Sequence, residues 1–200
     1  MSVQISYKKQ ALFGFILILC LLLVTEISMR VYDYYFPNCQ FIESEVYDEI
    51  SFELKREICF DNEKLVWDRN PLFLIPNQHF STININSEGF RGNELQLSPD
   101  YRIFVIGGST TFGVASTSDS TSIPAFLQQK ISSDFQEYNI EVINAGIPKA
   151  YSFTEKNMIK EKLLNFNPDL LIVYDGWNDL EIKYENYEKS VDTNFNDQLI

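Results

Sequence analysis

Histidine is nearly missing from this sequence: His79 is the single one in 200 residues. There is also no Cys-x-x-Cys and no Cys/His cluster, so a zinc-type centre has no ligand set and no metal is expected. Basic residues are scarce. Sixteen Lys and Arg stand against 28 Asp and Glu, a formal net charge of -12. Nucleic acid needs a basic footprint that displaces counterions, so this balance excludes it as a partner. No lysine follows Gly107-Gly108, which removes a Walker A phosphate loop. Three cysteines are available. Cys20 lies in an apolar run, which leaves Cys39 and Cys59 as either one disulfide or two buried thiols. Internal repeats and low-complexity tracts are absent. The 45% hydrophobic content is ordinary for a globular chain and leaves room for a packed core.

Long hydrophobic runs are confined to the N-terminus. Lys8 and Lys9 precede Ala11 to Val24, which is apolar throughout, and Glu26 is the first charge after it. A membrane span needs about 20 such residues, and a signal-peptide core needs fewer. No small-x-small cleavage site follows, because the next residues are Thr25-Glu26-Ile27-Ser28. Leu17-Ile18-Leu19 before Cys20 lacks the small residue of a lipoprotein signal. The pattern therefore predicts an uncleaved, single-pass signal anchor over residues 1–29. Tyr7 and the cluster Tyr32, Tyr34, Tyr35 and Phe36 would lie near the two headgroup layers. Lys8 and Lys9 put the N-terminus in the cytoplasm and the remainder outside.

Residues 30–100 read as an extracytoplasmic stalk or small lobe. Glu43 to Asp68 is acid-rich, and Pro71, Pro76 and Asn77 break regular structure. Ser81 to Asn86 alternates with period two and predicts a short strand, with Ser87-Glu88-Gly89 as a turn. Arg91 either binds a substrate anion or pairs with a nearby acid. From Tyr101 to Ile200 the pattern is α/β. Strands are predicted over 102–106, 140–143 and 170–174. A helix is predicted over 123–135 with Pro124 in its first turn, and another opens on a Ser152-Phe153-Thr154-Glu155 capping box and runs to about Phe166. A further helix is expected from Leu180, past Tyr184 and Tyr187. Strands alternating with helices imply a parallel sheet.

Each strand ends in a polar or glycine-bearing loop. These loops are Gly107-Gly108-Ser109-Thr110-Thr111-Phe112-Gly113, then Asn144-Ala145-Gly146, then Gly176-Trp177-Asn178-Asp179. In an open α/β sheet such loops gather at the carboxyl edge, where ligands bind. Ser109 on the tight turn after a buried strand is a candidate nucleophile.

These blocks resemble the SGNH (GDSL-type) hydrolase family over the second half of the chain, from Tyr101 onward. Ser109 matches the first block and Gly146 the second. Gly176, Trp177, Asn178 and Asp179 match the third position for position. The resemblance implies a flavodoxin-like three-layer α/β fold and a serine esterase or acyl hydrolase that needs no cofactor. Ser109 would be the nucleophile, with Gly146 and Asn178 in the oxyanion hole. Gly108, Asp175 and Trp177 would line the substrate site, and Asp179 would hold its loop. Acylated small molecules, lipids or glycans would be substrates, met near the membrane. Asn86-Ser87-Glu88-Gly89-Phe90-Arg91-Gly92 also resembles the segment before the first strand in some members that act on cell-surface polymers.

Two positions depart from the family pattern. Gly108 stands where Gly-Asp-Ser has its Asp. The fourth block, Asp-x-x-His, is absent from residues 1–200, as are the family's later strands, and the sequence leaves open whether that block lies beyond residue 200 or is lost. His79 lies upstream and reads as a surface or packing residue. The alternatives are a non-catalytic SGNH-like binding module and an O-acyltransferase. The hydroxyl-rich loop also resembles the phosphate cradle of flavodoxins, but those proteins lack the Gly-x-Asn-Asp block.

Overall fold

The computed structural model describes residues 6–36, 39, 43–69 and 72–181. It divides into two units, residues 1–45 and 46–200. The first unit contains one helix, α1 (Tyr7–Tyr35), 29 residues long. At 1.5 Å per residue it extends about 44 Å. An 18-residue stretch of it has a mean hydropathy of 2.5, so the helix is long and apolar enough to cross a membrane. The helix runs beyond the apolar stretch through a Glu26–Arg30 pair one turn apart, at 2.7 Å. Cys20 is a free thiol, whereas Cys39 and Cys59 are disulfide-bonded.

The second unit begins with a helix that the acid-rich composition hid, α2 (Phe52–Lys64). The Ser51 side chain accepts from the Leu54 N–H and caps it. Ile58 and Cys59 are fully buried on its inner face. Two small antiparallel pairs follow. In the first, β1 (Trp67–Arg69) meets β2 (Leu72–Leu74). In the second, β3 (Gln78–His79) meets β4 (Asn84–Ile85). The alternation expected over 81–86 thus yields only a two-residue strand, and a turn at Gly89 (φ 77°) follows it.

The central sheet is parallel, in the order β6-β5-β7. Its strands are β5 (Tyr101–Gly107), β6 (Ile140–Gly146) and β7 (Leu170–Tyr174). The helices are α3 (Ser109–Phe112), α4 (Ile123–Asp134), α5 (Ser152–Glu161) and α6 (Trp177–Glu181). The expected helix to Phe166 stops at Glu161, and a 3-10 turn, Leu163–Phe166, finishes the stretch. The helix expected from Leu180 already starts at Trp177, and Tyr184 and Tyr187 lie outside the described residues. Ile103 to Gly107 are all buried, so both faces of β5 are covered, as a parallel strand requires. The core joins this strand to the N-terminal hairpins through Ile85, Phe90, Phe104, Ile106 and Phe112.

Phe104 is fully buried, with its ring centroid 5.3 Å from Phe90 and 6.1 Å from Phe166. Phe104→Ala should therefore destabilise the unit by about 3–5 kcal/mol. Urea unfolding of the whole chain in detergent measures this. A loss below about 1 kcal/mol would mean that the aromatic cluster is not the core.

Candidate active site

Pairing register puts three strand ends level. Gly107 is opposite Gly146 on one side and Tyr174 on the other, so the three following loops leave the sheet at one height. The first loop turns at once into α3, with Gly108 as its N-cap and Gly113 (φ 86°) ending it in the left-handed region. Ser109 is half-buried at the start of that turn. The Thr111 hydroxyl donates to the Tyr174 carbonyl at 3.2 Å, which ties the turn to the end of β7.

The second loop is organised by Asn144. Its Nδ2 donates to the Phe112 carbonyl at 3.1 Å, and its Oδ1 accepts from the Gly146 N–H at 3.0 Å. The Gly146 amide expected in the oxyanion hole is thus buried and engaged with Asn144. What the glycine provides here is clearance. A Cβ on Gly146 would run into the backbone nitrogen of Phe112, so α3 can press onto the end of β6 only over a glycine. The turn beyond contains Lys149 in a left-handed conformation (φ 66°) and then Ala150.

The third loop brings Asn178 to the same place. Its Nδ2 donates to the Ala150 carbonyl at 2.5 Å. A Cβ on Gly108 would lie 2.5 Å from that nitrogen. A glycine at 108 therefore leaves the space that the Asn178 amide occupies. The Asp179 carboxylate accepts from both the N–H and the hydroxyl of Ser152. Ser152 is consequently not the N-cap expected of it. Tyr151 is the N-cap, and the Thr154 hydroxyl accepts its N–H at 3.0 Å. Gly108, Ser109, Ala150 and Asn178 come together, while Asp175 and Trp177 stand exposed on the rim, Trp177 at 74%. His79 is an exposed residue of β3 with its Nδ1 3.2 Å from the Asn84 side chain.

Glu155 was legible only as a helix-capping acid, yet it lies buried close to Asp175 and Asp179 of this edge. It is 3% exposed, and neither carboxyl oxygen has a hydrogen-bond donor among the described residues. Desolvation first, and then the charges of Asp175 and Asp179, push its pKa up to about 7. A proton held on Glu155 is available to donate to Asp175. Burial also raises the Asp175 carboxyl. Burial acts the same way on Asp179, but the hydrogen bonds from Ser152 outweigh it and hold that group below its ordinary value. Arg91 is likewise structural in contact. Its Nε is 2.8 Å from Asp119, so it pairs with an acid rather than facing a substrate. No sequence period marks Glu155 or Arg91, because most of their partners are 20 or more residues away. Among the described residues no cluster of His, Cys, Asp and Glu is arranged to hold a metal. A cavity of about 550 Å³ lined by Asp100, Tyr101, Glu137, Tyr138 and Ile140 lies at the opposite, amino edge of the sheet and holds no nucleophile.

Solved structures partly similar to this chain include a variant of Axe2, an acetyl xylan esterase from Geobacillus stearothermophilus. It is 20% identical over 43% of each chain, with a TM-score of 0.36. Another is AlinE4, an SGNH-hydrolase family esterase, 29% identical over 42% of this chain and 44% of that one, also at 0.36. The chain spans less than half the length of either. No family model and no curated protein matches it.

The raised Glu155 pKa has a consequence for stability. A carboxyl whose pKa is higher folded than unfolded contributes stability below its ordinary value of 4.5, and loses it as pH rises through about 7. The melting temperature of the whole chain should fall between about pH 5 and about pH 8 by more than that of Glu155→Gln. Parallel profiles for the two proteins would show that Glu155 does not carry the proton.

Proposed function

We propose that the chain carries the nucleophile-bearing part of a membrane-anchored SGNH-type serine hydrolase. Its substrates would be acyl esters of a lipid, a carbohydrate or a cell-surface polymer. The observation that carries this reading is the Asn178 amide packed over Gly108, the residue before Ser109, at the level ends of three parallel strands. An acyl-transfer site needs a nucleophile, a base and donors for the oxyanion.

In this reading the Ser109 Oγ attacks the ester carbonyl and gives its proton to a base. The carbonyl oxygen becomes an oxyanion, and the alcohol leaves with that proton. Water then attacks the acyl-serine and releases the acid. Asn178 spends one Nδ2–H on Ala150 and keeps the other for the oxyanion, alongside the Ser109 amide. Asn144 already takes the Gly146 amide, so Gly146 serves by letting α3 approach. Trp177 and Asp175 form the rim that meets the acyl or leaving group. The base that this reading requires is an Asp-x-x-His of the family kind, which residues 1–200 do not contain. The helix α1 anchors the chain with Lys8 and Lys9 on the cytoplasmic side and the α/β unit outside, near envelope substrates.

A fluorophosphonate probe applied to the full-length protein in membranes should label Ser109, and Ser109→Ala should abolish the label. Asn178→Ala should slow labelling about 100- to 1000-fold, the usual loss for one oxyanion donor. A folded, full-length protein that stays unlabelled would overturn the hydrolase reading in favour of a module that binds an acylated ligand without cleaving it.

A further inference from the structure

Arg91 is a fully enclosed positive charge near the candidate site. Its side chain is 0% exposed. Nε donates to Asp119 at 2.8 Å, and Nη2 donates to the Thr82 carbonyl at 2.9 Å. Nη1 donates to two carbonyls at once, Phe112 at 3.0 Å and Gly113 at 2.6 Å. The guanidinium lies 4.9 Å from the centre of the Phe112 ring. Its own backbone N–H donates to the Asn144 carbonyl at 3.3 Å.

Those two carbonyls close the turn that begins at Ser109. A helix of four residues cannot hold itself, because nucleation costs more than one hydrogen bond returns. Its last carbonyls also have no partner within the helix. Arg91 supplies partners for them, and its positive charge sits at the end where a helix favours one. Phe112 O accepts from Asn144 Nδ2 as well, so two side chains from two other segments grip one atom of the turn. Asn144 in turn holds the Gly146 amide.

We propose that Arg91 is a positioning residue for Ser109: its buried guanidinium clamps the far end of the Ser109–Phe112 turn and, with Asn144, sets that turn against the end of β6. This rests on the reading of Ser109 as the nucleophile. A lysine cannot substitute, since one ammonium does not reach Asp119 and three carbonyls in the geometry of a planar fork. Arg91 does not meet substrate, because its donors face carbonyls and Asp119 inside the fold.

The test compares Arg91→Lys, Asp119→Asn and a remote core control, Leu163→Ala, in the full-length protein. Leu163 is fully buried and lies in the 3-10 turn after α5. Two readouts are taken: amide hydrogen exchange along the chain, and fluorophosphonate labelling resolved into a binding constant and a maximal rate. In Arg91→Lys, exchange should quicken at residues 108–114 and 144–147 and stay unchanged in the rest of β5 and β7. The maximal labelling rate should fall roughly 10- to 100-fold with the binding constant nearly unchanged, as expected for a small displacement of a reacting atom. Asp119→Asn, which keeps the guanidinium and loses its counter-charge, should move both readouts the same way to a smaller extent. Leu163→Ala should lower the melting temperature and raise exchange uniformly, without singling out residues 108–114 and 144–147, and leave the maximal labelling rate alone.

Wild-type exchange and rate in a folded Arg91→Lys would overturn the proposal. So would a uniform rise in exchange equal to that of Leu163→Ala, which would make Arg91 a stabiliser of the fold only. If Arg91→Lys does not fold, Asp119→Asn decides by the same two criteria. If the wild-type protein is not labelled, the hydrolase reading fails, while the exchange pattern still decides whether Arg91 holds the turn.

Discussion

The contact on which the candidate site depends is that of the Phe112 backbone with Gly146. A side chain at residue 146 would push α3 away from β6. The parallel register holds the two at one height, with Gly107 opposite both Gly146 and Tyr174. Everything at the edge is arranged around this approach. The Ser109 turn lies over the end of β6, Asn144 and Arg91 grip its last carbonyls, and Thr111 reaches across to β7. A close backbone approach fixes position more firmly than side-chain contacts do, because backbone atoms cannot rotate away.

The third loop is held by different means. Asn178 is tied to Ala150, and Asp179 to Ser152, so the turn opening α5 supports the start of α6. Beneath it sits Glu155, a buried acid with no donor among the described residues and two other acids nearby. Burying a carboxylate without a partner is costly, and the group answers by keeping its proton. The loop that carries Asn178 therefore lies close to a titratable acid, whereas the turn that carries Ser109 is held by the Arg91 guanidinium. The same sheet has a second buried ion pair, Arg102 with Glu141 at 2.8 Å, but that pair lies toward the amino ends of β5 and β6 and braces the edge away from the site.

Gly108 also has a physical reason. A side chain at 108 would need space that the Asn178 amide fills, so the first and third loops approach more closely than such a side chain permits. Arg91 braces the Ser109 turn from its other end, through the Phe112 and Gly113 carbonyls.

Much of the architecture was legible in the chain. The three apolar runs became the three parallel strands, Leu170–Tyr174 at the expected bounds and the other two slightly longer. The apolar N-terminal run became a long exposed helix. These features are readable because they depend on residue period and on chain-local steric preference. Helix α2 was missed because its apolar residues are diluted by acids, and Ser152 was misread because its hydroxyl prefers a carboxylate 27 residues away to its own helix end. By itself the sequence determined which loops carry a serine, a small residue and an amide, and their order along the strands. Only the tertiary structure decided that the Gly146 amide is engaged, that Gly108 makes room for Asn178, that Arg91 holds the Ser109 turn, and that Glu155 is buried near Asp175 and Asp179. Each of those facts depends on atoms distant in sequence being pressed together, and no local pattern records such a meeting.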